Sequence, residues 1–196
     1  MYFYEELRYN GHRVNQKHSN TVRLFRDYET VKKDYGATDR DSEIPSKEVF
    51  DEMLRISKNQ IIFGGNYFIE YLHNSPCRIV WDKNNGDNNF ADCELARTSF
   101  KTAVRKYERT RNGMIQEDMA NKEFRYHPTQ KPISLFRRLL EKYSERGLTI
   151  LDPFAGSGTT GVACKELGYN YLMIEREPKY IDIINKRLEC ITPSLF

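Results

Sequence analysis

The sequence lacks any long apolar run. None of its 196 residues belongs to a stretch that approaches the roughly 20 apolar residues of a membrane-spanning helix. The N-terminus has neither a basic start nor an apolar segment, so we expect no signal peptide. Internal repeats and low-complexity tracts are also missing. Charged residues make up 30% and hydrophobic residues 39% of the chain, which, with the length, predicts a single soluble globular domain over 1–196.

Cysteine is scarce and shows no metal-binding pattern. The four cysteines form no C-x-x-C pair and have no histidine at zinc spacing. We therefore expect reduced thiols, a cytoplasmic location and no metal site. The net charge of +3 is small, so it permits a nucleic acid partner without requiring one.

The most informative stretch that is present reads Asp152-Pro-Phe-Ala-Gly-Ser-Gly-Thr-Thr160. It follows an apolar run at 148–151 that predicts a buried strand, and it precedes a helical pattern at 161–167. Gly156 and Gly158 allow the backbone to approach a ligand where a Cβ would clash. The new helix directs its free N–H groups into the same turn. This segment predicts a ligand-binding turn between a strand and a helix.

A second strand, predicted at 171–174, ends in Glu175. An acidic residue roughly 20 positions after the glycines is where nucleotide-binding folds hold ribose hydroxyls. The glycines of 156–161 also fit the G-x-G-x-x-G pattern of a dinucleotide enzyme, so an NAD-dependent oxidoreductase remains an alternative. Asp152 argues against it, because a carboxylate at the strand tip repels a pyrophosphate and attracts an amino or sulfonium cation. Only about 20 residues follow Glu175, which is too few for the rest of a dinucleotide-binding domain.

The rest of the chain shows a regular order of apolar patterns. In chain order they predict a helix opening at Pro45-Ser46, a strand at 60–63, a short helix at 67–72, a strand at 78–83 with an antiparallel partner at 93–98, a helix with its apolar face at 135–143 that Gly147 ends, and a last helix from Pro178. Residues 101–126 carry seven Lys/Arg against four Asp/Glu and show no clear periodicity.

Several separated motifs together resemble the β class of amino-DNA methyltransferases. The matches are the 152–160 turn, Glu175 and the preceding His127-Pro-Thr-Gln-Lys-Pro132. The cofactor turn near the C-terminus is typical of this permuted class. Residues 57–66, 79–83 and 91–95 look like phage-type members that methylate adenine. The resemblance implies a Rossmann-like, circularly permuted α/β fold with a mostly parallel sheet, an antiparallel hairpin and missing N-terminal strands.

The resemblance implies S-adenosylmethionine as the cofactor. Asp152 would face its methionine ammonium, the turn backbone would wrap the methionine, Glu175 would take the ribose hydroxyls and Lys131 would meet the carboxylate. The expected cofactor-binding residues are Asp152, Pro153, Phe154, Ala155, Gly156, Ser157, Gly158, Thr159, Glu175, Thr129, Gln130 and Lys131. The alternative for the 127–132 segment is an ordinary helix entry.

The family's catalytic tetrapeptide, Asp-Pro-Pro-Tyr or a close variant, is absent from the sequence. In the family it accepts hydrogen bonds from the target amino group and stacks on the flipped base. The resemblance places it just before Arg8, so no catalytic residue is identified. Residues 1–4 could fill the missing central strand, and Glu5 or Glu6 could then stand near the active site. We expect little or no activity from this chain alone.

The basic segments 1–46 and 101–126 are candidates for contact with double-stranded DNA, and 127–190 form the expected cofactor half. Arg105, Lys106, Arg109 and Arg111 are the proposed phosphate contacts. Tyr107 or Tyr126 could pack against a displaced base. The alternative is a solvated surface without a ligand.

Two functions of different classes follow. The first is a DNA methyltransferase of a restriction-modification type, which uses S-adenosylmethionine to methylate adenine N6, with cytosine N4 as the alternative target. The second is a non-catalytic relic that binds the cofactor or DNA, as a homodimer or as the partner of an intact subunit. Methyl transfer to unmethylated DNA distinguishes them.

Overall fold

The structure is a computed structural model with four helices and eleven strands in its described part. It describes residues 2–4, 8–9, 12–13, 44–86, 91–112, 115–127 and 129–191, with backbone alone before residue 44 and at 111, 112 and 115. The helices are α1 (Lys47–Ile56), α2 (Ile133–Tyr143), α3 (Thr159–Leu167) and α4 (Pro178–Glu189). The strands are β1 (Tyr2–Tyr4), β2 (Arg8–Tyr9), β3 (His12–Arg13), β4 (Asn59–Phe63), β5 (Arg78–Asp82), β6 (Cys93–Thr98), β7 (Arg105–Glu108), β8 (Arg111–Asn112), β9 (Ile115–Gln116), β10 (Thr149–Asp152) and β11 (Asn170–Met173).

Seven strands form one mixed sheet in the order β11-β10-β1-β4-β6-β5-β7. The pairs β10–β11 and β5–β7 are parallel, and the other four pairs are antiparallel. The strands β11, β10, β4, β5 and β7 therefore run in one direction, and β1 and β6 run in the other. The predicted antiparallel hairpin is confirmed as β5 and β6, whose register begins at Asp82 opposite Cys93. β2 with β3 and β8 with β9 form separate two-stranded ladders.

The strand β1 lies between β10 and β4, so residues 2–4 of the expected segment 1–4 supply a strand in this central position. Tyr2 pairs with Leu151 and Tyr4 pairs with Thr149, so β1 ends at the edge where β10 begins. The chain in β1 thus runs away from the turn that follows β10. Glu5 and Glu6, which the sequence suggested near the active site, lie outside the described residues.

Helices cover both faces of the sheet, because neighbouring apolar residues of each central strand point to opposite sides. Ile61 and Ile150 pack with α2 and α3 in one buried cluster. Ile62 and Leu151 pack with α1 in another. The helix α4 packs on α3 through Ile184, in a third cluster with Val162, Leu188 and Met173 of β11. The site therefore rests on strands that are held from both sides.

Three sequence expectations need correction. Residues 67–72 form successive hydrogen-bonded turns rather than a helix, and the pattern misled because two of its large apolar side chains face solvent. The segment 101–126, which showed no periodicity, contains the edge strand β7, whose single buried residue, Tyr107, is too little to produce a pattern. The helix α2 ends at Tyr143 with Ser144 as its C-cap, not at Gly147. No helix in the described part of the chain has the length and apolarity to cross a bilayer.

Candidate functional site

A cavity of about 740 Å³ lies at the edge of the sheet where β10 and β11 end. It receives residues from four separate parts of the chain. Of the twelve residues expected to bind a cofactor, eleven line it, and Gly158 is the exception. The remaining wall residues are Ile44, Pro45, Ser46, Val49, His127, Phe136, Thr160, Ile174, Arg176, Glu177 and Tyr180.

The turn after β10 is fastened to both neighbouring elements. The backbone N–H of Ala155 donates to the carbonyl of Ile174 at 2.9 Å, and the N–H of Ile174 donates to the carbonyl of Asp152 at 2.8 Å. The carboxylate of Asp152 accepts hydrogen bonds from the N–H of Phe154 at 3.2 Å and from the Thr160 hydroxyl. Its orientation is thereby set at the mouth of the cavity before any ligand binds.

The glycines at 156, 158 and 161, in the turn and the first part of α3, are required for different physical reasons. Gly156 has φ +53°, and a Cβ there would have only the His127 ring near it, at 3.8 Å. Gly158, at φ +79°, would place a Cβ 2.8 Å from the buried side chain of Ile184. A Cβ on Gly161 would lie 2.4 Å from Met173. Only Gly156 keeps its open side next to the cavity, whereas the other two permit α3 to pack against α4 and β11.

Glu175 follows β11 and reaches back to the glycine turn. One carboxylate oxygen accepts the N–H of Gly156 at 2.7 Å, and the other accepts the N–H of Glu177 at 3.0 Å. The side chain therefore braces the turn in addition to lining the cavity. Each oxygen keeps a further lone pair for a hydroxyl donor.

The segment before α2 is only partly directed at the cavity. The Gln130 side chain is buried, and its Oε1 accepts hydrogen bonds from the Ser157 hydroxyl and from the N–H of Tyr126, both at 3.0 Å. Thr129 is exposed, and its hydroxyl lies 3.0 Å from Nδ1 of His127. Gln130 thus binds the protein itself through its carbonyl oxygen, which the sequence pattern does not reveal.

Lys131 belongs to a charged network on the sheet. Its Nζ lies 3.2 Å from one oxygen of Glu94 and 5.0 Å from the centroid of the Phe63 ring. Lys83 meets the other oxygen of Glu94 at 3.1 Å. A ligand carboxylate at Lys131 would therefore compete with Glu94, which lies on β6.

The sequence did not predict the part of the cavity wall that residues 44–49 supply. Residues 44–46 and Val49, at the start of α1, face the glycine turn across it, and Phe136 of α2 and Tyr180 of α4 complete the lining. The sequence assigned Phe136 and Tyr180 to buried helix faces, which is correct for both. Nothing in the local pattern at 44–49 indicates a wall, because its neighbour is about 110 residues away in the sequence.

The four basic residues proposed for DNA contact lie at or beyond the edge strand β7 and differ in their surroundings. Lys106 is exposed and sits 2.9 Å from both Asp82 and Glu108. Its hydrogen bond with Asp82 raises the pKa of Lys106 and lowers the pKa of Asp82. Arg105 is exposed on the opposite face of the strand, since side chains alternate along it.

Arg109 is engaged with the protein. Its Nε donates to the Ser134 hydroxyl at 2.9 Å, and its guanidinium pairs with Glu117. The Arg111 side chain lies outside what the structure describes. Tyr107, suggested as a base contact, is 8% exposed and belongs to the core, so that suggestion is wrong because β7 turns this ring inward.

The lining of the cavity combines the carboxylates of Asp152, Glu175 and Glu177 with apolar side chains. Asp152 and Glu175 suit a cation and hydroxyl groups, and Phe154, which is 58% exposed, offers an open aromatic face beside them. In the part of the chain that the structure describes, no group of three or more His, Cys, Asp or Glu side chains is arranged to hold a metal ion. The arrangement can hold a cationic, nucleoside-containing molecule of moderate size.

Comparison with known sequences shows extensive similarity to one family. A family model described as DNA methylase matches residues 8–186. The type II methyltransferase M.HinfI of Haemophilus influenzae is 52% identical over 68 residues, which are 35% of this chain and 19% of M.HinfI. M2.DpnII of Streptococcus pneumoniae is 51% identical over 63 residues, which are 32% of this chain and 24% of M2.DpnII. The matched part is thus a fifth to a quarter of these curated relatives.

Solved structures share the fold. M1.HpyAVI in complex with SAM superposes with a TM-score of 0.53 at 26% identity, covering 72% of this chain and 81% of that chain. TTHA0409 of Thermus thermophilus superposes with a TM-score of 0.50 at 21% identity, covering 76% of this chain and 77% of that chain.

Proposed function

Because the chain belongs to the DNA methylase family, we propose that it serves the transfer of a methyl group from S-adenosylmethionine to an exocyclic amino group of DNA. Adenine N6 is the favoured target and cytosine N4 the alternative. The observation that carries the proposal is the cavity between Asp152 and Glu175, built on a strand–turn–helix whose Gly156 leaves its open side next to it.

The residues present fit S-adenosylmethionine by charge and by size. A cavity of about 740 Å³ lies within the range of small-molecule sites. Asp152 would attract the ammonium or sulfonium cation, and Glu175 would accept hydrogen bonds from ribose hydroxyls. Phe136, Phe154 and Ile174 offer apolar surface for the rest of the molecule. The structure of M1.HpyAVI with SAM supports the same cofactor for this related chain.

The chain's own residues would bind and orient the cofactor. Bound S-adenosylmethionine supplies an electrophilic methyl group on a sulfonium. The turn at 152–158 is already held by hydrogen bonds to Ile174 and Glu175, so little conformational entropy remains to be lost on binding. The Asp152 carboxylate, which accepts hydrogen bonds from the Thr160 hydroxyl and the N–H of Phe154, is held at the cavity edge. Rigid positioning of this kind is a large share of what an enzyme adds to a transfer between two bound reactants.

DNA as the substrate rests on the family and on the names of the relatives. The three curated relatives compared are type II methyltransferases. The preference for adenine N6 rests on the resemblance of residues 57–66, 79–83 and 91–95 to phage-type adenine methylases. Among the proposed phosphate contacts whose side chains the structure describes, Arg105 is the best placed, because it is exposed on the edge strand whereas Lys106 and Arg109 lie in ion pairs with carboxylates.

Isothermal calorimetry with S-adenosylmethionine tests the cofactor assignment. We expect saturable binding of S-adenosylmethionine and none of NAD. Binding of NAD in its place would favour the oxidoreductase alternative, and binding of neither would remove the proposal.

A second candidate function is a non-catalytic domain that binds the cofactor or DNA beside an intact subunit. One observation favours it: the sequence contains no Asp-Pro-Pro-Tyr tetrapeptide, and the central position next to β10 holds the three-residue β1. Transfer of a tritiated methyl group to unmethylated DNA separates the two functions. Incorporation into DNA by this chain supports the first, and cofactor binding without incorporation supports the second.

A further inference from the structure

Two aromatic side chains stand together on the surface ahead of the 127–132 segment. The rings of Phe124 and Tyr126 have centroids 4.6 Å apart and are tilted by 57°. Phe124 is 69% exposed and Tyr126 is 38% exposed. The pair leaves a large aromatic surface in water. Folding alone gives no reason for this, because burial of such rings stabilises a protein.

The backbone that carries the pair is held in place by a buried side chain. Gln130 donates from Nε2 to the carbonyl of Phe124 at 3.0 Å, and its Oε1 accepts the N–H of Tyr126 at 3.0 Å. The same Oε1 accepts the hydroxyl of Ser157 in the glycine turn. The rings are thus presented by a fixed segment that is tied directly to the cofactor site.

Two arginines and one glutamate lie next to the pair. The guanidinium of Arg187 lies 5.0 Å from the centroid of Tyr126, and its Nη1 donates to the carbonyl of Ser157 at 2.5 Å. Arg125, between the two aromatic residues, is exposed. Glu123 is half-buried and accepts the N–H of Ile133 at 2.9 Å. Fixed rings beside positive charge suit a partner that is both aromatic and anionic.

We propose that Phe124 and Tyr126 form a stacking platform for an unpaired base of DNA, with Arg125 next to the adjoining phosphate. This inference rests on the proposed function and adds to it a contact site for the nucleic acid. A base presents a flat π-face whatever its identity, so stacking on such rings is tolerant of sequence. The platform directly precedes His127, which lines the cavity, and Gln130 ties it to Ser157 of the glycine turn, so we place the bound base on the side of the molecule that holds the cavity.

The test is the affinity for a short single-stranded oligonucleotide that contains 2-aminopurine, measured by its fluorescence. We expect Phe124→Ala to weaken binding by roughly 5- to 150-fold, the range for loss of one stacked base. Phe124→Trp should bind like the unchanged protein and keep the quenching of 2-aminopurine. Tyr67→Ala is the matched control, because Tyr67 is an aromatic residue that is 72% exposed on the loop after β4. It should change nothing.

Salt dependence separates stacking from charge. Phe124→Ala should leave the slope of log affinity against log salt unchanged, whereas Arg125→Gln should reduce it by about 0.7 for single-stranded DNA. Equal affinity of Phe124→Ala and the unchanged protein overturns the platform. A change in sedimentation of Phe124→Ala without a change in DNA affinity also overturns it, and indicates a second copy of the chain as the occupant.

Failure of the platform is distinguishable from failure of the proposed function. Calorimetry with S-adenosylmethionine on the same preparations reports the cofactor site independently. If the cofactor binds and Phe124→Ala leaves the DNA affinity unchanged, the platform alone is overturned. If the unchanged chain does not bind the cofactor, the function on which the platform rests is overturned.

Discussion

At Gly156 the backbone has φ +53°, and the space where a Cβ would point is open except for the His127 ring at 3.8 Å. We predict that Gly156→Val abolishes binding of S-adenosylmethionine while the fold survives. The branched side chain would occupy the space next to the cavity, and the left-handed backbone adds a strain of roughly 1–2 kcal/mol. Calorimetry measures the binding. Gly147→Val is the matched control, since Gly147 has φ +91° with nothing within 4 Å. Affinity of Gly156→Val equal to that of the control would contradict the cofactor site.

Glu175 combines a structural contact with an expected ligand contact. We predict that Glu175→Ala weakens S-adenosylmethionine roughly ten- to hundredfold, the size of a hydrogen bond to a charged group. Part of the loss comes from the turn, because the N–H of Gly156 loses its acceptor. Glu175→Gln keeps an amide oxygen and should lose less. An affinity within twofold of the unchanged protein for Glu175→Ala would show that the side chain does not contact the cofactor.

At the scale of elements, β7 and the residues after it decide how much charge is available to DNA. Joint neutralisation of Arg105, Lys106, Arg109 and Arg111 should flatten the slope of log affinity against log salt, by about 0.9 for each phosphate contact on a duplex. Since Lys106 is paired with Asp82 and Glu108 and Arg109 with Glu117, we expect the change to be smaller than four contacts would produce. An unchanged slope would mean that DNA binds to a surface other than 101–126.

Within β7 the alternation of side chains separates the contributions. Arg105→Gln alone should reduce the salt slope more than Lys106→Gln, because Lys106 already faces two carboxylates. The larger effect from Lys106→Gln would mean that DNA displaces its acidic partners.

At the scale of the whole molecule, binding of the proposed cofactor would not by itself provide catalysis. An exocyclic amino group is a weak nucleophile, because its lone pair is delocalised into the base ring. The family overcomes this with the acceptors and the ring of a tetrapeptide that this sequence does not contain. We predict no detectable transfer of tritiated methyl groups to unmethylated DNA by the 196-residue chain.

Addition of an upstream segment with a strand and an Asp-Pro-Pro-Tyr tip should restore transfer and raise the melting temperature. The reason for the second effect is that β1 pairs with only three residues of β10 and two of β4, and a longer central strand satisfies more backbone groups. The same segment with Ala in place of the Asp is the control, which should be stable and inactive. Robust turnover by the chain without the addition would contradict the prediction.

The sequence by itself determined the features that depend on neighbouring residues. The strand, turn and helix at 149–167, the final helix from Pro178 and the β5–β6 hairpin follow from apolar period, glycine and proline, whose effects act within a few residues. The strand at residues 2–4 was also expected within 1–4, from the gap that the resemblance implied. The strand, turn and helix at 149–167 supply eight of the residues that line the cavity, and the final helix supplies Tyr180.

Tertiary structure alone decided which side chains are free to meet a ligand. Gln130 turns its carbonyl oxygen to Ser157, Lys131 meets Glu94, and Gly158 leaves room for Ile184 rather than for a ligand. It also decided the direction of β1 and the wall at 44–49. Each of these depends on a contact between residues far apart in the chain, and such contacts are set by packing of the whole core, on which local pattern carries no information.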